Sequence, residues 1–416
     1  MFNTYMNYHM GGTMISAGIV VEYNPFHNGH LYHLHQTRKQ TNADVVIAVM
    51  SGHFLQRGEP ALVSKFARTK MALQAGVDLV VELPYAFSTQ KAEIFAHGAI
   101  SILSSLQTNF ICFGSESGSL TPFYNTLHFI EDHKHQYNDA IKKFMNDGLS
   151  YPKAASLAFR SIAKEEPLLD LSKPNNILGY HYIKALHRLK SSTLPITIKR
   201  VNAEYHEPYL STSTQISSAT SIRNIVLQND SLTEIRSHVP YTSYEGLLHY
   251  KHIYGNFVQW ENLWPYLKYK LLHSEPEELK EIYEVEEGIE HRLIRYCRVA
   301  ISFSDFMEKV KTKRYTWTRL QRVCVHILTN TKKEEMKKRC NHPEYIRVLG
   351  FNEKGRKYLK EKKHKCSLPI ISKLSQIDQS AIRLDVKASH IYSLAFNNQI
   401  SKQIIKEEAS CPPIIV

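Results

Sequence analysis

Residues Ile15 to Val21 form a short apolar run, and the residues after it limit the folds open to this chain. Asn24-Pro25 breaks the run, His27-Asn28-Gly29-His30 comes next, and Leu31 to Lys39 has the pattern of a helix. A short continuous apolar run predicts a strand buried on both faces, as in a parallel sheet. Two imidazoles and a glycine then stand where a strand gives way to a helix. A helix start presents free N–H groups and the positive end of a dipole, which suits phosphate. Gly29 lets the backbone approach closely, and both histidines can donate to phosphoryl oxygens.

The same alternation continues for two hundred residues. Asp44 to Met50, Asp78 to Leu83, Phe110 to Phe113 and Ile196 to Val201 read as further strands. Between them, Ser64 caps a helix that Gly76 stops, and Gln90 to Leu106 reads as another helix. This is the pattern of an α/β, Rossmann-like domain with its parallel sheet covered on both faces. Ligands of such sheets sit at the carboxyl ends of the strands, which places His27, Ser51-Gly52, Pro84 and Gly114 on one rim. Helical patterns near 119–146, 151–164 and 174–190 separate the fourth and fifth strands. From about residue 226 the strand alternation stops, and long charged stretches such as Glu277 to Val299 and Thr331 to Cys340 read as helices. The expected organisation is a flexible extension or alternative start at 1–13, an α/β nucleotide-binding domain at 14–230 and a mainly α-helical basic domain at 231–416.

Charge points to the partner of that second part. The chain has 416 residues and a formal net charge of +13. Residues 291 to 370 alone hold 22 Lys and Arg against 7 Asp and Glu, so the rest is close to neutral. A concentrated basic region suits a polyanion, and Tyr296, Tyr315, Trp317, Tyr345, Phe351 and Tyr358 among the charges favour RNA over DNA, because rings stack on unpaired bases. The competing reading is a solvated helical surface. No apolar run reaches the roughly 20 residues of a membrane span, and residues 1–13 lack the plan of a signal peptide. The six cysteines form no C-x-x-C pair, which suits reduced thiols in the cytoplasm. His33, His35, His97, His181 and His206 show no metal-ligand spacing, so no protein-bound metal is expected.

Further features join the first motif. Arg57-Gly58-Glu59-Pro60 and Lys65 supply cations beyond the second strand, although Lys65 also fits a solvated helix position. After the fifth strand, Gln215-Ile-Ser-Ser-Ala-Thr-Ser-Ile-Arg223 offers Ser217, Ser218 and Thr220 as helix-start hydroxyls with Arg223 one turn on. Two phosphate corners suit a triphosphate better than a monophosphate. The pairing of H-x-G-H with I-S-S-x-x-x-I-R resembles the nucleotidyltransferase superfamily, whose members promote in-line attack on the ATP α-phosphate.

Longer stretches sharpen the resemblance. VVEYNPFHNGHLYHL, SGHFLQRGEPALVSKFARTKMAL, GVDLVVELP, FGSE, KPNNILGYHYIKAL and ITIKRVNAEYH run in order from Met14 to Arg223 and look like the tRNA(Met) cytidine acetate ligase family. That resemblance implies acetate activation by ATP to acetyl-adenylate. The acetyl group then passes to N4 of the wobble cytidine in the anticodon loop of elongator tRNA(Met). It also implies that Val20, Val21, Glu22, Tyr23, Asn24, Pro25, Phe26, His27, Asn28, Gly29, His30, Leu31, Tyr32 and His33 line the ATP. Gly114 and Arg200 would reach the nucleotide, as would Asn175 or Asn176. Ser217, Ser218 and Arg223 would hold phosphates, with His27, His30 and Lys65 as catalytic groups. For Asn175-Asn176 a helix cap after Pro174 fits equally well, and for Arg200 a surface charge. Mg²⁺ is expected on the ATP from phosphate charge. A small-molecule adenylyltransferase accounts for the phosphate motifs but not the basic half. A non-catalytic RNA-binding protein on a nucleotide-binding scaffold is the other alternative, and intact His27, Gly29, His30 and Arg223 weigh against it.

Overall fold

The computed structural model describes residues 14–163, 168–200, 215–228 and 232–416. Residues 1–13 and the NAEYH stretch, His206 included, lie outside them. Among the described residues, eight strands make one sheet in the order β5-β4-β1-β2-β3-β6-β7, with β8 beside β6. The first five are β1 Ser16–Val21, β2 Val45–Ser51, β3 Leu79–Leu83, β4 Phe110–Ser115 and β5 Leu194–Lys199, all mutually parallel. β1 pairs with β2 along its whole length, Ser16 opposite Val45 through Val21 opposite Met50. Every residue of β2 and β3 is buried, which explains why their sequences run apolar without alternation. Helix α1 (Asn28–Thr41) links β1 to β2, and α2 (Lys65–Gln74) links β2 to β3. The helix Ala92–Ser105 presses directly on β1: a Cβ at Gly18 would overlap the Leu103 side chain. Strand order reverses between β1 and β4, and a crevice opens there at the carboxyl ends.

The part beyond residue 226 is mainly helical, as its patterning predicts, yet it also extends the sheet. β6 (Ile346–Phe351) runs antiparallel to β3, while β7 (Ile370–Ile371) and β8 (Ile414–Ile415) run parallel to β6. β6 is not legible in the sequence because Arg347 interrupts its apolar run, and β7 and β8 are only two residues each. The expected helix over Glu277 to Val299 is also divided, into Pro276–Lys280 and Ile289–Cys297. Glu284, Glu287 and Gly288 between them adopt positive φ, which an α-helix does not permit.

Arg347 is tolerated because it belongs to a buried ion quartet. Lys65 Nζ lies 2.6 Å from Glu82 Oε1 and 2.8 Å from Glu408 Oε2. Arg347 pairs with Glu408 and sits 3.3 Å from Glu82 Oε2. None of the four side chains is more than 5% exposed. Burial alone would raise the Glu408 carboxyl, but Lys65 and Arg347 together hold it far below its ordinary range. Two cations and two anions thereby join α2, β3, β6 and the helix Asn398–Ser410. Breaking a buried ion group by removing one member leaves an uncompensated charge, which costs about 3–5 kcal/mol. Glu408→Ala is therefore expected to lower stability by about that amount in chemical denaturation. A loss below about 1 kcal/mol, the range of exposed pairs, would contradict the quartet.

Candidate active site

The first motif folds more tightly than its sequence suggests. α1 begins at Asn28 rather than Leu31, so the H-N-G-H stretch is itself the helix start. His27 is the N-cap, and its Nδ1 accepts from the Gly29 N–H at 3.0 Å. His30 Nδ1 accepts in turn from the His27 N–H at 3.3 Å. The two rings stand 3.9 Å apart. Since both Nδ1 atoms are acceptors, each neutral ring carries its proton on Nε2. Gly29 is required for this fold-back: a Cβ there would lie 2.8 Å from His27 Cε1.

Burial, with Arg200 and Arg223 nearby, lowers the His27 pKa to about 3. Burial and then the neighbouring His27, His33 and Arg200 lower His30 well below its ordinary value. Both rings are therefore neutral N–H donors near pH 7.

The second motif closes against the first. Asn28 Nδ2 donates to the carbonyls of Gln215 and Ser237 at 2.9 and 2.8 Å. Ser218 Oγ accepts from the Ser221 N–H at the start of the helix Ala219–Gln228. Arg223 donates to the Asn24 carbonyl and to Glu59 Oε2, each at 3.0 Å. A cavity of about 300 Å³ lies between these corners, at the ends of β1, β4 and β5. Of the residues expected around a nucleotide, it is lined by Val20, Val21, Glu22, Tyr23, Asn24, His27, Gly29, His30, Tyr32 and His33. Gly114, Asn175, Arg200, Ser217, Ser218 and Arg223 complete that wall.

The remaining expected residues have other roles. Phe26 is fully buried in the core, Pro25 is buried beside it, and Leu31 packs against the core. Asn28 is the tie between the motifs. Asn176 Oδ1 accepts from the Glu116 and Ser117 N–H groups at 3.1 and 3.2 Å, so it holds the loop after β4. Lys65 is 1% exposed, does not line the cavity and is committed to Glu82 and Glu408. Its assignment as a catalytic group is corrected accordingly: an ammonium neutralised by two carboxylates in the core has no reach to a phosphate in the cavity.

Sequence reasoning missed Phe95, Leu178 and Tyr182, the apolar wall, which read as ordinary helix core residues. It also missed Glu116, whose Oε1 accepts from Asn175 Nδ2 at 2.7 Å and whose Oε2 accepts from the Asn176 N–H at 2.8 Å. The signal was present in the FGSE and KPNN stretches, which meet here.

The basic segment falls on two faces rather than one. The Asn352 N–H donates to the Asp78 carbonyl and Tyr358 OH to the Leu106 carbonyl, which sets the helix Glu353–Lys362 at the amino ends of the strands. Exposed Lys354, Arg356, Lys357 and Lys360 thus lie opposite the cavity. The helix Trp317–Leu328 instead reaches the rim, where Gly58 abuts the Arg322 backbone and its carbonyl accepts from Trp260 Nε1 at 3.0 Å.

Residues 14–408 match the family model described as HIGH nucleotidyl transferase. Over 404 residues, 96% of this chain, the sequence is 50% identical to the tRNA(Met) cytidine acetate ligase of Bacillus subtilis and 48% identical to that of Bacillus licheniformis. Each match covers 97% of the relative. The chain belongs to the tRNA(Met) cytidine acetate ligase family. A crystal structure of apo Thermotoga maritima TmcAL superposes with a TM-score of 0.90 at 35% identity, covering 97% of this chain and all of that one. TmcAL with bound alpha-thio ATP superposes at 0.88 with 34% identity and the same coverage. The fold of this chain is thus similar to that neighbour's over nearly its whole length.

The capping geometry has a spectroscopic consequence. Nitrogen-15 NMR of the free protein is expected to show His27 and His30 as neutral Nε2–H rings that do not titrate between pH 8 and 5. A charged ring in that range would contradict the capping bonds. In Gly29→Ala, where the fold-back is obstructed, His27 should titrate closer to the ordinary 6.5.

Proposed function

We propose that this protein is an ATP-dependent ligase that acetylates N4 of the wobble cytidine of elongator tRNA(Met), releasing AMP and pyrophosphate. The observation that carries the proposal is the convergence of two phosphate corners on one cavity at the sheet's switch point. It occurs in a chain half identical to a named ligase over nearly its whole length.

In the first step an acetate oxygen attacks the α-phosphorus of ATP and the bond to pyrophosphate breaks. Negative charge shifts onto oxygens that the Nε2–H groups of His27 and His30 would meet. Neutral donors held in place need no reorganisation as that charge develops. Arg200 and Arg223, with the start of the helix Ala219–Gln228, supply positive potential on the other side. Asn175, fixed by Glu116, would position the nucleotide. Mg²⁺ would arrive on the phosphates and neutralise part of their charge.

In the second step the cytidine amine attacks the acetyl carbon and AMP leaves. An anticodon loop already presents unpaired bases, so little unstacking is required. Cations near the start of the helix Trp317–Leu328, such as Arg314 and Arg319, would exchange Glu287 and Glu286 for phosphates of the stem. On this reading residues 14–230 carry the chemistry and the helical remainder recognises the tRNA. A tRNA substrate implies a cytoplasmic enzyme.

Incubation with ATP, labelled acetate and tRNA(Met), followed by mass spectrometry of the digested RNA, should yield labelled N4-acetylcytidine. ATP turnover on a phosphorylated small molecule, with no labelled cytidine, would instead identify a small-molecule adenylyltransferase.

A further inference from the structure

We propose that Glu22 accepts the proton that the cytidine amine loses as it attacks acetyl-adenylate. The inference rests on the function proposed above and assigns that reaction a group that its phosphate motifs do not provide.

Glu22 follows the last residue of β1 and lines the cavity half-buried. Both its ends are fixed. Oε1 accepts from the Gln56 N–H at 2.7 Å, and the Glu22 carbonyl accepts from Arg68 Nη1 at 2.7 Å. Its second oxygen has no hydrogen bond among the described residues and is not sealed from the cavity. The other candidates are otherwise engaged. Glu59 is paired with Arg223. His27 and His30 use Nδ1 as acceptors and present only N–H groups. His33 also lines the cavity, but among the described residues no hydrogen bond fixes its ring, and burial lowers its pKa to about 4. Glu22 is thus the fixed acceptor that faces the cavity.

The step balances. The N4 lone pair forms a bond to the acetyl carbon. The bond from that carbon to the phosphate oxygen breaks, and its electron pair leaves on AMP. One N4 proton passes to Glu22 and then to water. A carboxylate at this point also favours cytosine, which offers N–H there, over uracil, which offers a carbonyl.

The surroundings shift its titration. Burial raises the Glu22 pKa, and so does Glu59; the Gln56 N–H, Arg57 and Arg223 lower it. Arg68 from α2 and Tyr182 from the helix Pro174–Leu189 also face it. The net position is above the ordinary 4.5. Since the ionised form is the base, transfer slows as pH falls through that raised value.

The test uses protein preloaded with ATP, acetate and pyrophosphatase, mixed with tRNA(Met), and follows N4-acetylcytidine in a single turnover between pH 5 and 8. Glu22→Gln should lower transfer about 100-fold and flatten its acid limb, in the range of a lost general base. Glu22→Asp should recover part of the rate and keep the limb. Acetate-dependent ATP–pyrophosphate exchange, measured on the same proteins, should fall less than transfer does. Transfer by Glu22→Gln within about threefold of the parent, with the same acid limb, would assign the proton to the AMP phosphate and overturn the proposal. Equal losses in exchange and transfer would place Glu22 at the ATP step and overturn it too. A parent protein that exchanges pyrophosphate but acetylates no cytidine overturns the function itself, and Glu22's role with it.

Discussion

The His27 ring folds back over Gly29 and accepts that residue's N–H, and the shape of the cavity depends on this bond. It starts α1 at the end of β1, so the helix points its N–H groups into the crevice between β1 and β4. It fixes the tautomer of His27, and the reciprocal bond from the His27 N–H fixes that of His30. Asn28, one residue on, then ties this turn to the segment that carries Ser217, Ser218 and Arg223. A single helix cap thus sets donor direction, protonation and the spacing of the two corners of the cavity.

Charge is handled in opposite ways in the core and in the cavity. In the core, Lys65, Glu82, Arg347 and Glu408 neutralise one another, and the quartet binds the C-terminal strands to the nucleotide-binding sheet. In the cavity, the histidines are neutral and the arginines reach its wall from β5 and the helix Ala219–Gln228, leaving net positive potential for an anion. Glu22, held by the Gln56 N–H and not paired with an arginine as Glu59 is, sits at the β1 side of that space. The contrast separates residues that hold the fold from residues available to a substrate.

Strands β1 to β4 are legible in the sequence because burial leaves them mostly apolar, Glu82 excepted. β6 was hidden because Arg347 is compensated by Glu82 and Glu408, and such compensation leaves no local trace. Lys65 is hard to place for the same reason: a lysine looks alike in sequence whether it faces a phosphate or two carboxylates, one of them 343 residues away. The true start of α1, three residues before Leu31, is hidden in the sequence because histidine is not among the usual capping residues. Most cavity residues were legible because they cluster in a few contiguous motifs. The basic segment's division between two faces was not, since composition carries no direction.

Attack of acetate on the α-phosphorus of ATP within this cavity is tested most directly by oxygen transfer. With acetate labelled with oxygen-18 in both positions, one labelled oxygen should appear in the phosphate of AMP after tRNA acetylation. Label in inorganic phosphate or pyrophosphate, with AMP unlabelled, would mean attack at another phosphorus and would contradict acetyl-adenylate as the intermediate.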